Sequence, residues 1–176
     1  MSKLTKEDLL EHLQSLDDVV SLLLPLHNRL NLIIAGGGAL VLMGVISRDT
    51  DDIDIMDASP ELKGFLEEYG MNMKVNAYIN SFPYNYNDRL VQLPIRGKSI
   101  DFYAISTEDI VISKLHTTRK TDFEDLHNPS LISSLNWDIL ERLATDENEL
   151  KAASLNKFRY NEFFDAYQRY KSEVRG

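Results

Sequence analysis

Residues 47–57 read S-R-D-T-D-D-I-D-I-M-D, and this interleaving of acids with β-favouring apolar residues constrains the fold more than any other stretch. In a strand, alternate side chains share a face. A strand over 52–56 therefore sends Ile53 and Ile55 into a core and points Asp52 and Asp54 the other way. Aspartate is a poor strand former, and two acids on one face repel. A hard divalent cation, Mg²⁺ or Mn²⁺, is the natural compensation. A solvated acidic turn accounts for the same residues without a ligand. An EF-hand loop does not: counting from Asp49, its sixth position is Asp54 where glycine is needed, and its twelfth is Pro60 where glutamate is needed.

The rest of the composition is that of an ordinary globular protein. The chain has 176 residues, 43% apolar and 27% charged, enough for one domain with a real core or a small α/β unit with a helical appendage. Zero cysteines exclude a disulfide framework and a thiolate zinc site. The start, M-S-K-L-T-K-E-D-L-L, is charged and unlike a secretory leader. No apolar run approaches the roughly 18 residues that span a bilayer, so a cytoplasmic protein with no membrane partner is expected. The net charge of -9 disfavours broad adhesion to nucleic acid and leaves room for a local basic site.

The periodicity predicts an amphipathic helix over 5–24, capped by Thr5, with Leu9, Leu10, Leu13, Leu16 and Val20 at helical spacing and Pro25 ending it. A buried strand over 31–35 runs into Gly36-Gly37-Gly38, and a buried helix over 39–43 stops near Gly44. Ser59, Pro60 and Gly70 mark a helix over 59–70. Period-two runs at 73–79, 89–93 and 98–105 predict an antiparallel meander, with I-R-G-K as the last turn. From Thr107 onward the signals are helical: one helix to about 120, then 122–134, 137–148 and 156–174. The expected fold is α+β: a small mixed sheet flanked by helices over 1–105, then a helical portion over 106–176, with the cleft between them.

Three further clusters are candidates for chemistry. Asp101 lies in S-I-D-F-Y-A-I, where alternation puts it with Tyr103 opposite Ile100, Phe102 and Ala104, either as a third metal ligand or on an exposed sheet face. The glycine run between strand and helix lets backbone approach phosphate oxygens at a helix N-terminus, although neither a Walker loop nor a full G-x-G-x-x-G is present. On a helix from Thr107, Ile110, Val111 and Leu115 form the apolar stripe and Lys114 and Arg119 its shoulders, as snorkelling cations or as donors to a triphosphate. His12, His27, His116 and His127 share no metal-ligand spacing. Tyr160, Phe163, Phe164 and Tyr167 follow the spacing of a helical core stripe rather than a base-stacking platform.

Taken in order, G-G-G-A-L, then R-D-T-D-D-I-D-I, then a strand carrying Asp101, then D-I-V-I-S-K-L-H-T-T-R-K-T-D-F-E-D-L, the chain resembles the polymerase-β-like nucleotidyltransferases over about 31–126. Within them it is similar to the minimal bacterial branch related to AbiEii-type toxins of abortive-infection and toxin–antitoxin systems. The resemblance implies that Gly36 and Gly37 contact phosphate, that Asp52, Asp54 and Asp101 bind Mg²⁺ or Mn²⁺, and that Lys114 and Arg119 lie near the nucleotide phosphates. Arg48 and Thr50 would order the segment before the metal pair. Many relatives carry Gly-Ser where this chain has Gly36-Gly37. The implied reaction moves a nucleoside monophosphate from an NTP to an RNA or protein hydroxyl, with Asp101 helping to prepare the nucleophile. A cognate antitoxin is the implied protein partner. The resemblance assigns no role to Asp122 and Asp125.

Two other functions fit parts of the pattern. A catalytically inactive nucleotidyltransferase-like regulator would bind nucleotide or protein without turnover. A glycosyltransferase would use D-I-D to hold a sugar nucleotide, but the glycine turn immediately upstream and the short chain fit it less well.

Overall fold

The computed structural model describes residues 2–24, 28–146 and 157–175. The chain divides into two compact units, Met1–Asn76 with Leu90–Ile105, and Ala77–Arg89 with Ser106–Gly176.

The first unit is built on a mixed sheet. Helix α1 (Lys6–Leu23) opens with a capping box, in which the Thr5 hydroxyl accepts from the Asp8 N–H and the Asp8 carboxylate accepts from the Thr5 N–H. Leu9, Leu13, Leu16 and Val20 are fully buried as the spacing predicts, whereas Leu10 is exposed. Pro25 and His27 lie outside the described residues. Strand β1 (Leu30–Ala35) passes directly into α2 (Gly36–Leu42). β2 (Ile53–Ala58), β3 (Met71–Asn72), β4 (Val91–Gln92) and β5 (Ile100–Ala104) complete a sheet of order β3-β2-β1-β5-β4. β1 is antiparallel to β2 and parallel to β5, β2 is parallel to β3, and β4 is antiparallel to β5. The α+β class with a small mixed sheet is therefore as expected.

Several elements differ from the sequence reading. Residues 59–70 form two short 3-10 turns, Pro60–Leu62 and Glu67–Tyr69, with exposed Gly64 between them, where glycine weakens a continuous helix. Ser59 caps no helix, because its hydroxyl accepts from the Asn31 N–H at 2.9 Å. Gly70 does stop the segment, in the left-handed conformation at φ 72°. The predicted strand 73–79 is 3-10 helical over Lys74–Ser81, so the meander is reduced to the β4–β5 pair. Its alternation buries neither face, and asparagines satisfy the local backbone: Asn72 Oδ1 accepts from the Lys74 N–H at 3.0 Å and Asn76 Nδ2 donates to the Met73 carbonyl at 3.1 Å.

Two charged side chains fix the β4–β5 end of this unit. Fully buried Asp17 of α1 accepts from the Lys98, Ser99 and Ile100 N–H groups at 2.6, 2.9 and 2.9 Å. Arg29 donates to the carbonyls of Gly97, Lys98 and Ile100. A Cβ at Gly97 would lie 2.3 Å from the Ile100 carbonyl, so the turn requires glycine.

The second unit is helical: α3 (Thr107–Leu115), α4 (Lys120–Leu126), α5 (Pro129–Ser134), α6 (Trp137–Thr145) and α7 (Lys157–Arg175). The helix predicted from Thr107 stops at Leu115, and the one predicted over 122–134 is broken at Asn128-Pro129, where Asn128 caps α5. Residues 147–148 and 156, assigned to helices by the sequence, lie outside the described residues. Of the aromatic stripe expected on α7, Phe163 and Tyr167 are fully buried and form core, Tyr160 and Phe164 are only half-buried, and Tyr170, one turn on, is a further buried ring. Arg89 grips the buried Asp109 with two nitrogens, at 2.9 and 2.8 Å, and Ser106 also donates to that carboxylate.

Candidate functional site

The β1–α2 turn and the acidic segment meet in the first unit. Asp54 of β2 pairs with Ala35, the last residue of β1, and Gly36 follows at φ 65°, a left-handed conformation that glycine adopts without cost. A Cβ on Gly36 would lie 2.9 Å from Asp54 Oδ2, and one on Gly37 would lie 2.3 Å from Arg48 Nη2. The glycines thus let this turn press against Arg48 and Asp54. Asp52 sits just before β2, half-buried, and its Oδ2 accepts from Asn72 Nδ2 at 2.7 Å. Ile53 and Ile55 are fully buried, as the alternation predicts.

The segment leading into this pair is anchored from the N-terminus. Thr50 exchanges two backbone hydrogen bonds with Leu4, at 2.6 and 2.9 Å. Its hydroxyl is buried and has no partner among the described residues. Arg48 donates to the Asp49 carbonyl at 3.0 Å. These contacts hold Arg48 and Thr50 beside the acids in an ordered segment.

Asp101 lies apart from that pair. Ile100, Phe102 and Ala104 are buried and Asp101 and Tyr103 are half-buried on the other face, as alternation predicts. The register, however, sets Asp101 opposite Asn31, whereas Asp54 is opposite Ala35. Four residues of β1 separate the two levels, about 13 Å of strand. Arg29 Nε donates to Asp101 Oδ1 at 2.9 Å, so its charge is met by a guanidinium there. Asp101 therefore does not join Asp52 and Asp54, and among the described residues no three His, Asp or Glu side chains converge as metal ligands.

In the helical unit, Lys114 and Arg119 do not share a helix. Lys114 is buried on α3, and its ammonium donates to Asp122 Oδ1 at 2.6 Å and bridges to Asp125 Oδ2 at 3.0 Å. Arg119 immediately precedes α4; its side chain is 77% exposed while its Nε donates to Asp122 Oδ2 at 2.8 Å. Burial alone would raise the Asp122 pKa, but Lys114, Thr117 and Arg119 together hold it below the usual carboxylate value. Lys114 is thus neither a snorkelling cation nor a free phosphate donor. Asp122 and Asp125 have a defined task, which is to hold it.

Sequence reasoning missed Arg29, Asn72 and Asp17, whose partners lie far away in the chain and leave no local signal. Asp52 and Asp54 are the residues that can hold a divalent cation: an all-oxygen pair beside a cradle that a Cβ would fill suits Mg²⁺, which takes one or two carboxylates and completes its shell with phosphate and water. No curated protein and no solved structure matches the chain. A family model does match, over residues 11–175, and its description is a nucleotidyltransferase of unknown function. That match takes in the glycine turn, the carboxylate pair and almost all of the helical unit, and on it the chain belongs to the DUF6036 family of nucleotidyltransferases.

Proposed function

We propose that the protein is a metal-dependent nucleotidyltransferase of the polymerase-β-like superfamily, in the branch related to AbiEii-type toxins, which moves a nucleoside monophosphate from an NTP to an RNA or protein hydroxyl. The observation that carries this reading is the close approach of Gly36 and Gly37 to Asp54 and Arg48. It brings backbone that can approach phosphate oxygens, a guanidinium and two carboxylates to one end of the sheet. A cation bound by Asp52 and Asp54 would supply charge neutralisation for the triphosphate. Arg48 neutralises phosphate charge from the protein side, Asn72 fixes the rotamer of Asp52, and Thr50 keeps the segment in register with Leu4. The acceptor oxygen bonds to the α-phosphorus as the bond to pyrophosphate breaks, and the hydroxyl proton leaves to solvent. A toxin role, with a cognate antitoxin as partner, follows from the same likeness.

The reading is tested by titrating each NTP, with Mg²⁺ or Mn²⁺, into wild type and the Asp52→Asn/Asp54→Asn double variant by calorimetry. Metal-dependent binding that disappears in the variant is expected. A folded wild type that binds no NTP would overturn the reading. The engagement of Asp101 by Arg29 favours a second reading, a regulator that binds nucleotide without turnover. Pyrophosphate release in the presence of acceptor separates the two.

A further inference from the structure

Two cavities adjoin within the helical unit, of about 290 and about 400 Å³. They share a wall that includes Thr117, Thr118 and Arg169, so they form one trough with two compartments. Arg119 lines the first compartment, Arg159 the second, and Arg169 both. Each compartment is of the size that holds one small organic group and is too small for a duplex.

The first compartment also presents an aromatic surface. Phe123 is 60% exposed, unusual for a phenylalanine, and its ring stacks on His127 at a centroid distance of 4.1 Å. Two charged groups of this compartment are already engaged, Lys114 by Asp122 and Asp125, and Glu173 by His127 Nε2 at 2.8 Å. Arg119 uses its Nε on Asp122 and keeps an exposed side chain, and Arg169 makes no ion pair among the described residues. Each compartment sets carboxylates beside its arginines, Glu173 in the first and Glu162 and Asp165 in the second; what the first adds is the exposed ring of Phe123.

We propose that this trough binds single-stranded nucleic acid, with a base on the exposed face of Phe123 and successive phosphates at Arg119 and Arg169. Guanidinium forks match phosphate oxygens, and base–aromatic stacking accepts any base, which is how single strands are held without reading sequence. Two linked compartments sharing Arg169 suit a chain of nucleotides better than one nucleotide. Calling this strand the acceptor rests on the nucleotidyl-transfer reading; the binding itself does not.

The test is fluorescence anisotropy of a labelled single-stranded oligoribonucleotide, roughly eight residues long, titrated with the full-length protein without NTP or metal. Arg169→Glu and Phe123→Ser alter exposed side chains, and circular dichroism confirms that each variant is folded. Each should weaken binding by at least about tenfold, and Arg169→Glu should also reduce the salt dependence. Retained oligonucleotide binding in the Asp52→Asn/Asp54→Asn variant, together with lost NTP binding, would show that the two sites stand or fall separately. Wild type that does not bind the oligonucleotide would overturn the proposal. So would variants that bind as wild type does, a duplex that binds equally well, or a mononucleotide that matches the oligonucleotide in affinity.

Discussion

Gly36 and Gly37 do different work although they are neighbours. Gly36 needs its left-handed backbone, which costs other residues about 1–2 kcal/mol, and any Cβ would also press on Asp54. Gly36→Ala should therefore lower the unfolding free energy by about 1–2 kcal/mol in urea denaturation and impair NTP binding. At Gly37 the obstacle is the movable end of Arg48, and alanine favours a helix by about 1 kcal/mol. Gly37→Ala should leave the urea midpoint nearly unchanged while weakening NTP binding through Arg48. This glycine–acid site was legible in the sequence because strand alternation and the strand–glycine–helix order are local properties. Asp101 was legible only in part: alternation assigned its face, but the β1–β5 register that separates it from Asp54 depends on pairing between strands far apart in the chain.

Among elements, the α3–α4 corner is set by one buried cation. Removing Lys114 leaves Asp122 and Asp125 buried without it, a change that typically costs about 3–5 kcal/mol. Lys114→Met should destabilise by that order in urea. Adding Asp122→Asn and Asp125→Asn should recover a large part of the loss, because the uncompensated charges go with the cation. A recovery of nothing would show that packing, not charge, fixes the corner. In the sequence Lys114 reads as the shoulder of a longer helix. The break after Leu115 comes from partners three to eleven residues onward, which helical periodicity does not report. Likewise the Asn-rich stretch at 72–80 alternates like a strand, yet side chains that bond their own backbone win over a ladder with no buried face.

For the whole molecule, stability on the acid side should fall in two steps. Burial, with Arg159 contributing, holds the His116 ring below its usual 6.5, so its contribution is complete above pH 6.5 and is lost as pH falls through the lower folded value. The lowered Asp122 acts later, with its contribution present above 3.8 and lost below it. Urea midpoints measured against pH should decline first below about 6.5, and His116→Gln should flatten that upper limb while sparing the lower one. Glu108 works in the opposite sense: burial and then Asp109 raise its carboxyl above 4.5, so its contribution is lost as pH rises through that higher value.

The two-part organisation also bears on how such a protein can be taken apart. The backbone enters the helical unit at Ala77, leaves it after Arg89 and returns at Ser106. A gene truncated to encode only residues from 106 onward would produce Asp109 without Arg89, its two-pronged counter-ion, and would strand a carboxylate that is fully buried in the complete chain. The halves are thus not modules that recombination could exchange at a single junction. A transplantable version of the helical unit would have to carry the 77–89 excursion as a second inserted segment.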